Sequence, residues 1–183
     1  MKTQAPLQTT LLTLFLLLTL SPLGHTASKL EIDTRVAAVI DKLYAEQPAA
    51  ASLGAKASGV LVFPRIIQGG VGVGGEVGEG ALLVNGATSQ YYRVTSLSFG
   101  FQLGGQAKSQ IIMFMTDESL RQFVESDGWE AGVDGSVAVI EFGVGKEIDT
   151  NNIRDAIIAF IFDNKGLMYN LSLEGTKFWK IAK

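Results

Sequence analysis

The sequence predicts an α+β domain, with N-terminal helices followed by a curved, barrel-like antiparallel β-sheet and one further helix. Three observations predict it. After Ser28, apolar residues recur at spacings of three and four, the period of one helix face. From Gly59 onward the period drops to two, in short apolar runs separated by glycines and turns. Hydrophobic residues make up 47% of the 183 residues and charged residues only 18%, against about a quarter in an average domain, so a sizeable core can be buried.

The helices come first. Ser28-Lys29-Leu30-Glu31 matches a capping box, and Ile32, Val36, Val39, Ile40 and Leu43 then mark one helix face to about Ala45. Gln47-Pro48 interrupts, and Ala49 to Ala57 can form a second short helix with proline near its first turn. Val60 to Phe63 reads as a buried strand stopped by Pro64. Residues 69 to 80 (GGVGVGGEVGEG) carry glycine at seven of twelve positions. Ala81 to Val84, Asn85-Gly86 and the stretch through Tyr91, Tyr92 and Val94 read as a hairpin, because both turn residues tolerate positive φ. Leu97, Phe99, Phe101 and Leu103 alternate with small or polar residues, and Ile111 to Met115 is apolar throughout. Thr116-Asp117 caps a helix through Leu120, Phe123 and Val124 that ends at Gly128 and Trp129. Val137 to Phe142, Ile157 to Phe162 and Leu167 to Leu173 complete about eight strands, with Asp163 to Gly166 as the turn between the last two.

Residues 1–27 read as a secretory leader, and 28–183 as one domain. Lys2 supplies a positive start, and Leu11 to Leu20 is an uncharged run of ten, short of the about 20 residues a transmembrane helix needs. Small residues up to Ala27-Ser28 allow cleavage after either one; an uncleaved signal anchor is the alternative. Cleavage implies a periplasmic or secreted domain, and removes His25, the single histidine of a chain without cysteine. Triads, cysteine nucleophiles and histidine-ligated zinc then have no residues to build on. The net charge of -3 argues against a nucleic-acid partner.

Few motifs carry chemistry. Gly70-x-Gly72-x-x-Gly75 matches the dinucleotide fingerprint in letters, but no helix follows to face a pyrophosphate. Gly70, Gly72 and Gly74 instead share one face of an extended segment, where missing side chains let a backbone, a ring or a ligand tail approach. Asp127, Glu130 and Asp134 cluster near glycines, while the segment from Asp149 to Asp155 has Arg154 where a calcium loop needs glycine. Glu76 and Glu79 could approach each other across a bend and act as paired carboxylates. Lys177-Phe178-Trp179-Lys180 interleaves rings with ammonium groups, as at a membrane interface, or forms a final strand with one aromatic in the core.

Three blocks resemble the SYLF domain family: Ala57 to Pro64 with Gly69 to Gly80, Ser98 to Gln106, and Lys165-Gly166-Leu167 leading to Ser172 to Gly175. The resemblance spans roughly residues 30 to 183. It implies a lipid-binding module without catalytic residues or cofactor. Eukaryotic relatives bind phosphoinositides and some bind and bundle actin, whereas bacterial members are exported and carry a phospholipid-binding role. This domain departs from the basic eukaryotic pattern, and actin is not an expected partner of an exported chain. Gly70, Gly72, Gly74, Lys177, Phe178, Trp179 and Lys180 are the candidate lipid-binding residues. An envelope structural or protein-interaction module with no lipid ligand is the second expectation.

Overall fold

The computed structural model describes residues 27–141, 155–165 and 173–183. Helix α1 (Lys29–Glu46) starts at Ser28, whose side chain accepts from the Glu31 amide. The Glu31 carboxylate pairs with Arg35 one turn on. Helix α2 (Pro48–Gly54) has proline in its first turn, where no amide hydrogen is required. It is followed by strands β1 (Gly59–Val84) and β2 (Ala87–Phe114), helix α3 (Asp117–Glu125), and strands β3 (Trp129–Glu130), β4 (Ala138–Glu141), β5 (Ile157–Lys165) and β6 (Lys177–Ile181).

The α+β class holds, and the main difference lies in strand length. The short strands expected between residues 60 and 115 are one hairpin of two long antiparallel strands. Its turn is Asn85-Gly86, with φ of 52° and 77°. Pro64 does not end the first strand. It lies at a register irregularity between Phe63 and Ile66, where the ladder does not call on its missing amide, and its carbonyl accepts from the Ser109 hydroxyl. The expected turn at Asp163 is likewise absorbed into β5, as a positive-φ residue opposite a register shift between Ala107 and Ser109. The predicted segment 167–172 lies outside the described residues.

β2 organises the sheet. β1 runs along one of its edges, while the other is shared by β6, opposite Tyr91 to Thr95, and β5, opposite Ala107 to Phe114. β3 extends the sheet beyond β6, and β4 extends it beyond β5. The β4–β5 pairing is parallel, while the other strand pairings are antiparallel as expected.

Side-chain alternation divides the core in two. On the outer face, Val62, Ala81, Tyr91, Ile111, Met113, Ile158 and Phe160 pack against Ile32, Val36 and Leu43 of α1 and Ala50 and Leu53 of α2. On the inner face, Leu61, Phe63, Leu82, Tyr92, Ile112 and Phe114 meet Phe123 of α3 together with Trp129 and Phe178. The Phe123 ring has centroid distances of 4.7 Å to Phe114, 4.9 Å to Tyr92 and 5.6 Å to Trp129, in the range where tilted aromatic pairs attract.

The hairpin curls until β1 meets itself. A Cβ on Gly80 would lie 2.0 Å from the Val62 carbonyl oxygen, and one on Gly78 would lie 2.8 Å from that of Arg65. These two glycines let the first limb of the strand pass directly over the second.

We therefore expect Gly80→Ala to destabilise the domain by about 3 kcal/mol in denaturant unfolding, as forced overpacking against backbone does. Gly105→Ala, whose Cβ would come no nearer than 3.6 Å to the Gln68 carbonyl, should stay within about 0.5 kcal/mol of the parent chain. A second expectation concerns alkaline pH. Burial pushes the Tyr92 hydroxyl up to about 12, and burial together with the neighbouring Asp33 carboxylate does the same to Tyr91. A folded-state value above the unfolded value of 10 gives stability that is complete below pH 10 and lost as pH rises toward 12. The unfolding midpoint should fall across that window, and Tyr92→Phe should reduce the fall.

Candidate functional site

The outer face is covered by α1 only over part of its length. Beyond the start of the helix, Ile67, Val77 and Leu97 stand 50%, 49% and 78% exposed. Strand register places Val77 and Leu97 together, since Leu97 faces Gly75, Val77 faces Thr95, and Glu79 faces Arg93. β6 continues these rows, with Lys177 opposite Thr95 and Trp179 opposite Arg93. An open cleft of about 470 Å³ lies between this patch and the start of α1, lined by Ile32, Arg35, Arg65, Ile67, Val77 and Arg93. A second cleft of about 510 Å³ shares Arg35, Pro64 and Arg65 with the first and runs along α1 to Lys42. Arg35 and Lys42 are seven residues apart and so lie on the same side of that helix.

Cations therefore border an apolar surface over two adjoining clefts. Arg35 is held by Glu31, Arg93 by Glu79 at 2.9 Å, and Lys42 by Asp163. Arg65 has no ion pair among the described residues. Guanidinium groups beside exposed aliphatic side chains can bind a phosphate while alkyl groups rest on the apolar part.

A family model described as Ysc84, Las17-binding protein actin regulator, matches residues 95–182. The chain carries a Ysc84/SYLF family domain. The matched stretch starts within β2 and runs through α3 to β6, so it includes the blocks at 98–106 and 165–175 but not the one at 57–80. No curated protein gives a match to the chain.

The residues expected from the sequence have varied surroundings. Gly70 pairs with Gly104 and Gly74 with Ser98, and by alternation both share the inner face with Gln68 and Glu76. Gly72 lies at the irregularity between Val71 and Val73. The open apolar surface of the glycine-rich stretch is thus on the opposite side of the strand from these glycines. Phe178 is buried in the inner core. Trp179 is 43% exposed on the outer face, packs over Gly128 and donates its indole N–H to Thr95 at 3.1 Å. Lys177 pairs with Glu130 at 3.1 Å, and Lys180 is exposed. Sequence reasoning missed Arg65, Arg93, Ile67 and Val77, and Leu97, expected on the buried face of its strand, is instead exposed because α1 does not reach that part of the outer face. For Leu97 the alternation itself was legible, but which face of the strand is covered needed the register to be seen.

The carboxylates considered for hydrolysis do not pair. Glu76 points to the inner face and binds Lys108 at 2.8 Å, while Glu79 points to the outer face. The acidic group near Gly128 is a turn, in which the Glu130 amide donates to Asp134. Asp149 lies outside the described residues.

The Glu76–Lys108 pair is enclosed, with side chains 7% and 0% exposed. Beside it, Gln106 donates to Gln68 at 2.7 Å. Removing one charge of an enclosed pair strands the other in low dielectric. We expect Lys108→Met alone to cost about 3–5 kcal/mol in urea unfolding, and Lys108→Met combined with Glu76→Leu to recover most of it.

Proposed function

We propose that this SYLF domain is an exported, non-catalytic phospholipid-binding module that docks through its uncovered outer face. The observation that carries the reading is the grouping of exposed Ile67, Val77 and Leu97 beside Arg35, Arg65 and Arg93. An anionic headgroup would sit among the guanidinium groups, and the aliphatic side chains would enter the acyl boundary. Trp179 and Lys177, in register on the same face, supply a ring and an ammonium group at headgroup depth. The short apolar run near the N-terminus supports export to the periplasm, where lipid surfaces surround the protein. The words Las17-binding and actin regulator belong to the matching family's description, and an exported domain meets membrane rather than actin filaments.

The mode of binding is peripheral. Among the described residues no helix is long and apolar enough to cross a bilayer. Each basic residue brought to an anionic surface contributes about 1 kcal/mol, so a few arginines suffice for reversible attachment.

Co-sedimentation of the full chain with phosphatidylglycerol-containing vesicles should exceed that with phosphatidylcholine alone and should weaken with salt. Arg65→Gln should lower apparent affinity about five-fold, in line with one lost surface cation. Leu97→Asp should lower it at least as much without loss of thermal stability, because the side chain is exposed. Failure of either vesicle to retain the parent chain would refute the lipid reading and favour an envelope protein-interaction module.

A further inference from the structure

One carboxylate of the outer-face cleft holds two cations, Arg93 from the cleft lining and Lys183 from the end of the chain behind it. Glu79 lines the cleft itself. Its Oε1 accepts from Arg93 at 2.9 Å and its Oε2 from Lys183 at 2.7 Å, so each oxygen serves a different cation. Register makes the arrangement inevitable: Glu79 lies directly opposite Arg93 in the hairpin, and β6, which leads to Lys183, pairs with the far side of Arg93. Lys183 also donates to the Ala27 carbonyl at 2.9 Å, and cleavage after Ala27 would remove that acceptor and leave Glu79 as its partner. Burial raises the Glu79 carboxyl, but the hydrogen bonds and charges of Arg93 and Lys183 outweigh it and hold it below the usual carboxylate range. Glu79 is therefore an anion at neutral pH.

We infer that Glu79 is an internal competitor for the anion bound by this cleft, and so a specificity-determining residue. It holds Arg93 and Lys183 in place of a ligand, and gives them up only to a group that offers them more negative charge. Arg65, which has no carboxylate to displace among the described residues, makes the first contact. Discrimination arises because Glu79 then faces the incoming charge without its partners. A zwitterionic headgroup gains too little to offset that repulsion, whereas a multiply charged phosphate gains enough. The inference rests on the reading of the cleft as a headgroup site and adds what regulates that site.

Two probes separate the inference from the reading beneath it: inorganic pyrophosphate in solution and phosphatidylglycerol vesicles. Calorimetric titration of the full chain with pyrophosphate should show Glu79→Gln binding roughly three-fold more tightly than the parent, since a partly exposed pair withholds about that much. Adding Arg93→Gln to Glu79→Gln should abolish the gain. Equal or weaker pyrophosphate binding by Glu79→Gln would overturn the inference, whatever the vesicles do. A pyrophosphate gain with no vesicle binding by parent or variant would overturn the lipid reading alone. Circular dichroism checks that Glu79→Gln folds. If it does not, Glu79→Asp takes its place, because a carboxylate one methylene shorter cannot span both cations. It should show a smaller gain of the same sign, and no gain would again overturn the inference.

Discussion

The close approach of the Val62 carbonyl to the side of Gly80 where a Cβ would stand is the constraint on which the rest of the domain depends. It allows a 26-residue strand to fold over itself rather than lie flat. Once the hairpin curls, its two faces become different environments. One encloses Phe63, Tyr92 and Phe178 around the Phe123 ring, and the other bears the α1–α2 layer and the uncovered patch beyond it. Glycine at 78 and 80 is needed for closeness of approach, since the carbonyls of Arg65 and Val62 occupy the space a side chain would take.

Inside the curl, the apolar core gives way to a polar row. Gln106, Lys108 and Gln110 alternate along β2, with Gln68 and Glu76 contributed by β1. Two contacts are made, Gln106 to Gln68 and Lys108 to Glu76, although the Gln106 amide oxygen is left without a partner among the described residues. Gln110 has no partner for either amide atom among the described residues, and each such group costs about 1–3 kcal/mol. A row of this kind is a poor source of net stability but a strong source of register. Sliding the hairpin by one residue would carry a lysine and three glutamines to the outer layer and replace them with apolar groups.

Much of the fold is legible in the sequence because it rests on local rules. Ser28 and Thr116 cap their helices as their positions suggest, and Asn85-Gly86 makes the hairpin turn. Strand lengths were not legible, because Pro64 and the glycines of residues 69–80 punctuate the sequence without ending the strand. They mark where it bends. The candidate site was harder still. Arg35, Arg65 and Arg93 lie on a helix and two strands, and nothing in their spacing shows that they line one cleft. Phe178 and Trp179 illustrate the same limit. Adjacent in sequence, they fall on opposite faces, one in the core and one in the outer rows, and only the pairing of β6 decides which is which.

The division of one edge of β2 between β6 and β5 has a consequence for the order of assembly. Gln90 bonds the Ile181 carbonyl across 91 residues, and Lys183 reaches Ala27 across 156. Loop-closure entropy must be met before such distant contacts give anything back. A chain delivered from its N-terminus would therefore form its hairpin early and keep the Tyr91 to Thr95 edge open until its last residues arrive. Completion of that edge is thus timed by a five-residue strand, which acts as the closing stitch of a hairpin edge laid down some 90 residues earlier.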